Sequence, residues 1–383
     1  MNSEIIISGG GIIGNYLSIL LNANDVRAYV IEKSQAPKKN LDKIRTVTLN
    51  KNSFDLLKKI NLDVEFKPIK TIKVFDAETS GKIHFKSEDI DSDYLSYVAY
   101  YDDINNALIK KNIDNIRFGN EIIDLSYGKN NSLELLLFNK KKISTKILAG
   151  CDGKNSNVAS MIGLKSISRE YGQTAFTFKA ETTLEDEIAY QFFSDKGIFA
   201  IMPLPKLQND KSTHTIVWSV NDNYLLKDHE NFIFKNIYFF EKKLDINIDI
   251  TSKILKFNLS NHHFNNYVIN SAVLIGDAAH SIHPLAGQGI NLGFADAEIF
   301  CEEILNAHNT GRQINDKTVL KKYEVRRRSI NQIMVKSMDI FVDMFESKSI
   351  VSRFLRSLGL KFVDKNEFLK SFFINYAGGK NKF

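Results

Sequence analysis

The sequence predicts a mixed α/β protein with an antiparallel β-sheet inserted into an otherwise α/β chain. The first observation is a strand–helix–strand unit, in which EIIIS (4–8) precedes a helix-like stretch at 12–23 and a strand ending at Val30 and Ile31. The second is a run of alternating segments between 173 and 219, typical of antiparallel strands. The third is AVLIGD (272–277), a return to a buried strand before a mostly helical remainder.

The turn after the first strand, ISGGGIIGNYL, carries Gly9, Gly11 and Gly14 in the pattern GxGxxG. The first glycine permits a tight turn, the second lets the backbone approach a pyrophosphate, and the third lets the helix pack closely on the strand. Glu32 ends the second strand, where a carboxylate accepts hydrogen bonds from ribose hydroxyls. This context predicts a Rossmann-like unit for an ADP-containing dinucleotide, although Glu32 alone would also fit an exposed strand end.

Two later strands also end in turns that contain glycine. ILAGCDGKNSNVA (147–159) runs into Asp152 and Gly153, which taken alone are an ordinary turn signal. AVLIGDAAH places Asp277 at the mouth of another turn, where a carboxylate can accept a hydrogen bond from a sugar-like hydroxyl. GQGINLGFADAEIF (287–300) then predicts a helix whose first amides suit an anionic edge of a ligand. Together the three strand ends predict one ligand held from three sides.

His280 and His283 raise the alternative of a metal site, because Asp277 and Asp296 lie nearby in sequence. The same segment holds four glycines, which offer no side-chain ligands: Gly276, Gly287, Gly289 and Gly293. The rest of a metal shell is missing from the segment. We therefore predict no metal, a structural role for His280, and a loop whose main chain approaches a large flat ligand.

Composition bounds the remaining function classes. The chain has 383 residues and a formal charge of +6, but lysine is used throughout, so we predict no nucleic-acid binding. Two cysteines are too few for a disulfide framework, and MNSEIIISGGG does not resemble a signal peptide. No window is as long and apolar as a membrane-spanning helix. These features predict a cytoplasmic location, with peripheral contact at the inner face of a membrane as an option.

That option comes from the C-terminal region. From Arg312 onward there are 16 Lys/Arg against 7 Asp/Glu, and a basic segment can contact an anionic membrane or an acidic partner. Five apolar residues recur there at helical spacing: Ile330, Met334, Met338, Phe341 and Phe345. A solvated basic helix that packs its stripe on the core is the simpler interpretation, and a lipid-facing or partner-facing stripe is the alternative.

The three glycine turns resemble those of the FAD-dependent aromatic-ring monooxygenases, the single-component flavoproteins similar to para-hydroxybenzoate hydroxylase. GDAAHxxxPxxGQGxNxGxxDA is closest to the ubiquinone-biosynthesis hydroxylases. Further similarity lies in DKIRTVTL (42–49), GIFAIMPLP (197–205), TIVWS, YEVRRR and the late AGG. The resemblance covers nearly the whole chain. It implies a Rossmann-like FAD-binding domain, an inserted antiparallel β-sheet substrate domain and a helical C-terminal region.

The resemblance also implies the residues that bind FAD. The ADP half would be held by the first turn and the end of the second strand: Gly9, Gly11, Ile12, Ile13, Gly14, Glu32 and Lys33. Arg45 would lie near the cofactor, and the main chain of Ile122 would contact the adenine. The Asp152-Gly153 turn would serve FAD and the nicotinamide donor. The last turn would hold the ribityl chain and the isoalloxazine, with Pro284 over the ring: Gly276, Asp277, Pro284, Gly287, Gln288, Gly289, Ile290 and Asn291. No side chain is identified as a general base.

The implied activity is hydroxylation of a polyprenylated phenol in ubiquinone biosynthesis, with NADH or NADPH as electron donor and O₂ as oxidant. The inserted sheet would form the roof of the substrate site. Its apolar run could host the substrate, although an ordinary core explains most of it: Phe176, Phe178, Phe192, Phe193, Phe199, Ile201, Met202 and Trp218. Two alternatives stay open, a hydroxylase of a soluble aromatic or antibiotic and a degenerate flavin-bound scaffold of a quinone-synthesis complex.

The sequence departs from the family pattern at a few positions. Ala159 stands where an arginine is usual in DGxxSxxR, and Tyr100-Tyr101 replace an acidic-Asn pair. Phe192 occupies another position where arginine is commoner. These departures affect the details expected for donor and substrate binding rather than for FAD.

We expect a discontinuous first domain. The FAD-binding domain is predicted to comprise 1–70, 97–170 and 268–312. The β-rich substrate domain would comprise 71–96 and 171–267, and the helical region 313–383.

Overall fold

The structure is a computed structural model that describes residues 2–37, 42–128, 132–194, 196–205, 213–225, 229–283 and 288–346. Its α-helices over these ranges are α1 (Ile12–Asn22), α2 (Lys51–Lys59), α3 (Tyr101–Asn112), α4 (Asn157–Met161), α5 (His229–Leu244), α6 (Gln288–Asn309) and α7 (Lys317–Glu346). The strands are β1 (Asn2–Ser8), β2 (Ala28–Glu32), β3 (Thr46–Asn50), β4 (Lys67–Ile69), β5 (Thr71–Asp76), β6 (Lys82–Lys86), β7 (Ser96–Tyr100), β8 (Ile116–Phe118), β9 (Ile122–Tyr127), β10 (Leu133–Leu137), β11 (Lys142–Gly150), β12 (Ser166–Thr182), β13 (Ile188–Ser194), β14 (Gly197–Pro203), β15 (Thr213–Asn221), β16 (Ile248–Ile250), β17 (Leu255–Phe264), β18 (Val268–Ile269), β19 (Ala272–Leu274) and β20 (His280–Ser281).

The first sheet has the order β18-β19-β11-β1-β2-β8, with β9 and β10 attached to β11 as a meander. Strands β1, β2, β8, β11 and β19 run parallel. From β1 the chain adds β2 and β8 on one side and then crosses to β11 and β19 on the other, which makes the gap between β1 and β11 a topological switch point. Ligands of open α/β sheets bind at the carboxyl edge of such a point.

The second sheet has the order β20-β17-β12-β15-β14-β13-β5-β6, with β16 beside β12. It is antiparallel as predicted, apart from β13 and β5, which pair in parallel. One face of this sheet packs on α5 through a core of aromatic and aliphatic side chains. Strand β12 begins at Ser166 and β20 joins from the 280–281 segment, so the pairing extends beyond the predicted segments. The predicted domain division itself stays a prediction.

A small sheet, β3-β7-β4, lies between the two larger ones. Thr46 contacts Thr215 of the second sheet at 3.3 Å between the two hydroxyl oxygens, and the Thr48 hydroxyl lies 3.5 Å from the Met202 sulfur. On the other side, the Asn50 amide donates to the Asn291 side chain at 2.9 Å. The small sheet therefore links the second sheet to α6.

The C-terminal helices α6 and α7 pack against each other and against the first sheet. In the predicted stripe of α7, Met334 is buried and Ile330 and Met338 are half-buried. This favours the core-packing interpretation, and the side chains of Phe341 and Phe345 lie outside the described residues. Among the described helices, none has the length and apolar character to cross a membrane.

Candidate functional site

The three predicted glycine turns meet at one edge of the first sheet. Ser8 pairs with Gly150, and Gly150 pairs with Leu274, so β1, β11 and β19 end side by side. The turns that follow open onto one cavity of about 1670 Å³. Its wall includes residues from each turn: Gly9, Gly11, Asp152, Gly153, Asp277, Gly289, Ile290 and Asn291. The predicted meeting of the turns is therefore what the structure shows.

Close packing explains the glycines of the first turn. Gly9 has φ +104°, and a Cβ there would lie 2.5 Å from the Cys151 carbonyl oxygen. A Cβ at Gly14 would lie 2.0 Å from the Gly9 oxygen, so the helix sits directly on the turn. At Gly11 the nearest atom to such a Cβ is the Tyr101 hydroxyl at 3.6 Å. Gly11 therefore leaves open space on the cavity side and supplies no side-chain cap to α1.

Glu32 holds the first turn from the second strand. Its carboxylate accepts from the Gly10 amide at 2.6 Å and from the Ser34 amide at 2.8 Å. Both contacts fix the carboxylate at the cavity wall, which Lys33 also lines. Each carboxylate oxygen retains acceptor capacity for a ligand hydroxyl.

The Asp152 carboxylate forms hydrogen bonds with groups of the protein itself. It accepts from the Ser156 hydroxyl at 2.6 Å and from the Val158 amide at 3.1 Å. Burial raises the pKa of this carboxyl, and these hydrogen bonds oppose that rise. Gly153, with φ +81°, has no other atom within 4 Å of a hypothetical Cβ. Ala159, which stands where the family pattern has an arginine, is buried in the hydrophobic core of the first sheet.

Asp277 lies in a short 3₁₀ helix, Gly276–Ala278, directly after β19. The Asp277 carboxylate is surrounded by protein but is accessible through the cavity. Burial raises the pKa of this carboxyl, and the nearby His280 and Arg45 oppose the rise. Gly276 has φ +63° and does not line the cavity. Its amide instead donates to Asp296 at 3.0 Å.

Arg45 and Tyr101 form a stacked pair on the cavity wall. The guanidinium carbon lies 4.4 Å from the centre of the Tyr101 ring. No carboxylate of the described residues forms an ion pair with Arg45, and both side chains line the cavity beside Asp277. An unpaired cation at this position suits an anionic ligand. The family pattern predicted Arg45, whereas Tyr101 stood out only as a departure from that pattern.

The start of α6 closes another side. Gly289, Ile290 and Asn291 line the cavity, and the Asn291 amide donates to the Thr48 carbonyl at 3.0 Å. Since Asn291 also accepts from Asn50, its side chain fixes α6 to the small sheet. The predicted contacts of Pro284 and Gly287 lie outside the described residues, as does the side chain of Gln288.

The remaining predicted positions surround the first turn. Ile12 and Ile13 line the cavity. Ile122 is buried and does not line it, whereas the adjacent Asn120 and Glu121 do. A side chain at Ile122 therefore does not contact the cavity, and only its predicted main-chain role is retained as a proposal.

A buried network around Asp296 was not predicted. Its carboxylate accepts from Arg327 Nε at 2.6 Å and from Asn331 at 3.0 Å, and lies 2.6 Å from His280 Nε2. Burial would raise the pKa of Asp296, but His280 and Arg327 outweigh it and hold that pKa well below its usual range. The motif around His280 does not predict this network, because Arg327 and Asn331 lie on another helix, α7.

The two histidines are engaged by protein groups. His280 bonds to Asp296, as a structural histidine should, and His283 Nε2 lies 2.9 Å from the Gln173 side-chain oxygen. Burial lowers the pKa of His283 to about 4. Among the described residues, no group of three or more His, Cys, Asp or Glu side chains is placed to hold a metal ion.

A comparison with protein families identifies the ligand. The family model described as an FAD binding domain matches residues 2–338, most of the chain. This chain belongs to the FAD binding domain family. It is a flavoprotein oxidoreductase, and the resemblance inferred from the three glycine turns is confirmed.

Relatives of this FAD binding domain protein cover nearly its whole length. A ubiquinone biosynthesis monooxygenase COQ6 of Dictyostelium discoideum is 26% identical over 99% of this chain and 91% of the relative. A 3-demethoxyubiquinol 3-hydroxylase of Escherichia coli is 27% identical over 98% of each. The fold is shared with p-nitrophenol 4-monooxygenase PnpA of Pseudomonas putida, with a TM-score of 0.76 and 16% identity over 99% of both chains.

The cavity of this FAD binding domain protein fits the cofactor. The open side of Gly11 admits a pyrophosphate next to the uncapped start of α1, whose amides favour negative charge. Arg45 supplies a cation without an internal carboxylate partner in the described part of the chain. We propose that these groups hold the diphosphate, with Glu32 at the adenosine ribose and Asp277 at the ribityl chain.

Gly11 and Gly14 allow cofactor binding to be separated from folding. We expect Gly11→Ala to weaken FAD binding at least about 10-fold, because its Cβ would occupy the approach to the pyrophosphate. The FAD-free protein should lose less than about 1 kcal/mol of unfolding free energy, since Gly11 has extended backbone.

Gly14→Ala is the contrasting variant, because its Cβ would clash with the Gly9 carbonyl oxygen. It should lower the free energy of unfolding by about 3 kcal/mol. FAD titration and urea unfolding measure these effects; equal FAD affinity in wild type and Gly11→Ala would contradict the assignment.

The Asp296 network predicts a pH-dependent contribution to stability. We expect Asp296→Asn to lower the free energy of unfolding by about 3–5 kcal/mol at neutral pH, because Arg327 loses its carboxylate partner in a buried site. Since the folded pKa lies below the unfolded value of about 3.9, this difference should persist above that value and shrink as pH falls below it. Urea unfolding from pH 7 downward tests this. An unchanged difference at the most acidic pH would show that ionisation of Asp296 is not responsible.

Proposed function

We propose that the protein is an FAD-dependent, NAD(P)H-consuming monooxygenase that hydroxylates a polyprenylated phenol in ubiquinone biosynthesis. The observation that carries this proposal is the second half of the cavity, which is apolar and continuous with the FAD-proximal turns. The names of the relatives agree with it, since one is a ubiquinone biosynthesis monooxygenase and another a demethoxyubiquinol hydroxylase.

The apolar half of the cavity, which we call the apolar arm, lies between strands β5, β6, β13 and β14 of the second sheet and helix α7. Its lining is almost entirely aliphatic, aromatic or thioether: Ile72, Val74, Ile83, Phe85, Phe193, Ile198, Ile282, Ile333, Met334, Met338, Ile340 and Met344. Such a surface favours an isoprenoid chain, because each buried methylene contributes about 0.8 kcal/mol of transfer free energy. Methionine adapts to irregular apolar ligands.

The aromatic run of the second sheet lies mostly in an ordinary core, which was the simpler of its two interpretations. Phe176, Phe178, Phe192, Phe199 and Trp218 belong to the core beneath α5, on the face of the second sheet away from the cavity. Of the predicted run, Phe193 and Met202 line the cavity. Side chains alternate between the faces of a strand, so the aromatic residues at the other parity stabilise the sheet rather than contact substrate. Phe192, which stands where the family more often has an arginine, is therefore a core residue.

The residues of this chain divide the work of the proposed reaction. Bound FAD supplies electron transfer from the nicotinamide to O₂ and insertion of one oxygen atom into the ring. The main chain at Gly289 and Ile290 would contact the flavin edge, where amides favour negative charge. The apolar arm would bind the prenyl chain, hold the ring in place and exclude water from the site.

Contact with a membrane or a quinone-synthesis assembly is a further part of the proposal. The YEVRRR arginines are engaged internally, since Arg326 pairs with Glu302 and Glu303, and Arg327 with Asp296. Arg328 donates to the Asn265 carbonyl at 2.9 Å. Positive charge for an anionic surface would therefore come from elsewhere in the basic C-terminal region, whose residues after 346 lie outside the described ranges.

Turnover assays test the activity. We expect the FAD-loaded protein to oxidise NADH or NADPH faster when 2-geranylphenol is added, because hydroxylation then consumes the reduced cofactor. Bound substrate should also exclude water and so raise the yield of hydroxylated product per donor oxidised. Mass spectrometry with isotope-labelled dioxygen should show one oxygen atom in the product. Hydroxylation of phenol or 4-hydroxybenzoate with equal efficiency would favour the soluble-aromatic alternative, and flavin binding without any hydroxylation would favour the scaffold.

The apolar arm can be narrowed at Met338, which is half-buried on α7 and lines the cavity. We expect Met338→Trp to raise KM for 2-geranylphenol about 10-fold through steric loss of chain burial, and to leave KM for phenol within about 2-fold. Met338→Leu, which conserves volume, should resemble wild type. Equal effects of the Trp variant on both substrates would place the chain elsewhere.

A further inference from the structure

The cavity face of the second sheet is built from a row of paired side chains. Val74 pairs with Gln191, Gln191 with Ala200, Ala200 with Val217, and Val217 with Thr177. All five residues line the cavity. Three of them are apolar, and Thr177 carries a single hydroxyl three strands away from Gln191. The Gln191 amide is therefore the largest hydrogen-bonding group of the row.

Strand parity places Gln191 on the cavity side. Its neighbour Phe192 is buried in the core beneath α5, where the Phe192 ring lies 5.5 Å from that of Phe240, whereas Tyr190 packs on the same core and also reaches the cavity wall. Successive side chains point to opposite faces of a strand, so Gln191 faces away from that core. It is half-buried, as are Ala200 and Val217 in the same row.

The Gln191 amide forms no hydrogen bond with any residue that the structure describes. A primary amide has two N–H donors and an acceptor oxygen, and an apolar ligand that covered it would leave these groups unsatisfied. A ligand with an oxygen substituent at this point would satisfy them instead. The small side chains of Ala200 and Val217 leave space beside the amide, while Val74 and Ile83 continue the row into the apolar arm.

We propose that Gln191 is a positioning residue, whose amide forms a hydrogen bond with an oxygen substituent on the aromatic ring of the substrate. The inference rests on the proposed function and adds the group that recognises the ring. The prenyl chain would follow the row toward Val74 and Ile83, which leaves the oxygen-bearing ring at Gln191. By fixing the rotation of the ring, this bond determines which carbon faces the cofactor.

A comparison of two ligands isolates the hydrogen bond. Binding of 2-geranylphenol and of geranylbenzene, which lacks the oxygen, is measured on the FAD-loaded protein by flavin difference spectra and equilibrium dialysis. We expect wild type to prefer the phenol about 10-fold and Gln191→Leu to lose that preference, because one hydrogen bond accounts for roughly this factor. Hydroxylated product per NAD(P)H consumed should also fall in Gln191→Leu.

Gln313→Leu is the matched control, because Gln313 is exposed and does not line the cavity. It should keep the wild-type preference, FAD affinity and melting temperature. An undiminished phenol preference in Gln191→Leu, in a wild type that hydroxylates 2-geranylphenol, overturns the role of Gln191 and leaves the proposed function intact. Weaker binding of both ligands by the same factor in Gln191→Leu also overturns the role of Gln191. Failure of wild type to bind either ligand removes the proposed function itself.

Discussion

The alignment of three parallel strand ends is the constraint on which the site depends. Backbone pairing places Ser8, Gly150 and Leu274 next to one another, although they are far apart in the chain. A shift of register in either pair would move one turn along the strand direction by about 3.3 Å per residue. The turns could then no longer face one ligand, however well each was formed. The aliphatic core of the first sheet thus serves the site directly, since it holds this register.

The buried carboxylate of Asp296 extends this order to the loop after β19. The Gly276 amide, His280, Arg327 and Asn331 all bond to it, and they come from the loop and from α7. The loop that carries Asp277 is therefore fixed to both C-terminal helices, and α7 in turn lines the apolar arm. An ion pair in so buried a position is weak evidence of net stability compared with apolar packing. Its geometric effect is clear: it couples the position of the cofactor-proximal loop to the position of α7.

The sequence predicted the parts of the site that depend on local backbone chemistry. Glycine at residues 9, 11 and 14 has a local reason that a motif reveals, since the structure shows close backbone contacts at Gly9 and Gly14 and open space at Gly11. It did not predict groups assembled from distant segments, such as Arg327 with Asp296 or Arg45 with Tyr101. It left open which members of the aromatic run meet the substrate, because hydrophobicity alone does not say which face of a strand meets the cavity. Strand parity, together with the neighbours of the sheet, resolves that question.

The second sheet shows how one set of strands serves both stability and recognition. On β13, Phe192 packs under α5 while Gln191 faces the cavity, and on β15 Trp218 and Val217 divide in the same way. Most of the large aromatic residues lie on the face packed against α5, where they stabilise the sheet without filling the ligand space. The opposite face keeps small side chains in the middle and long apolar ones toward α7. A flat head group beside Gln191 and a long apolar chain beyond it would then each meet a surface of matching size and polarity.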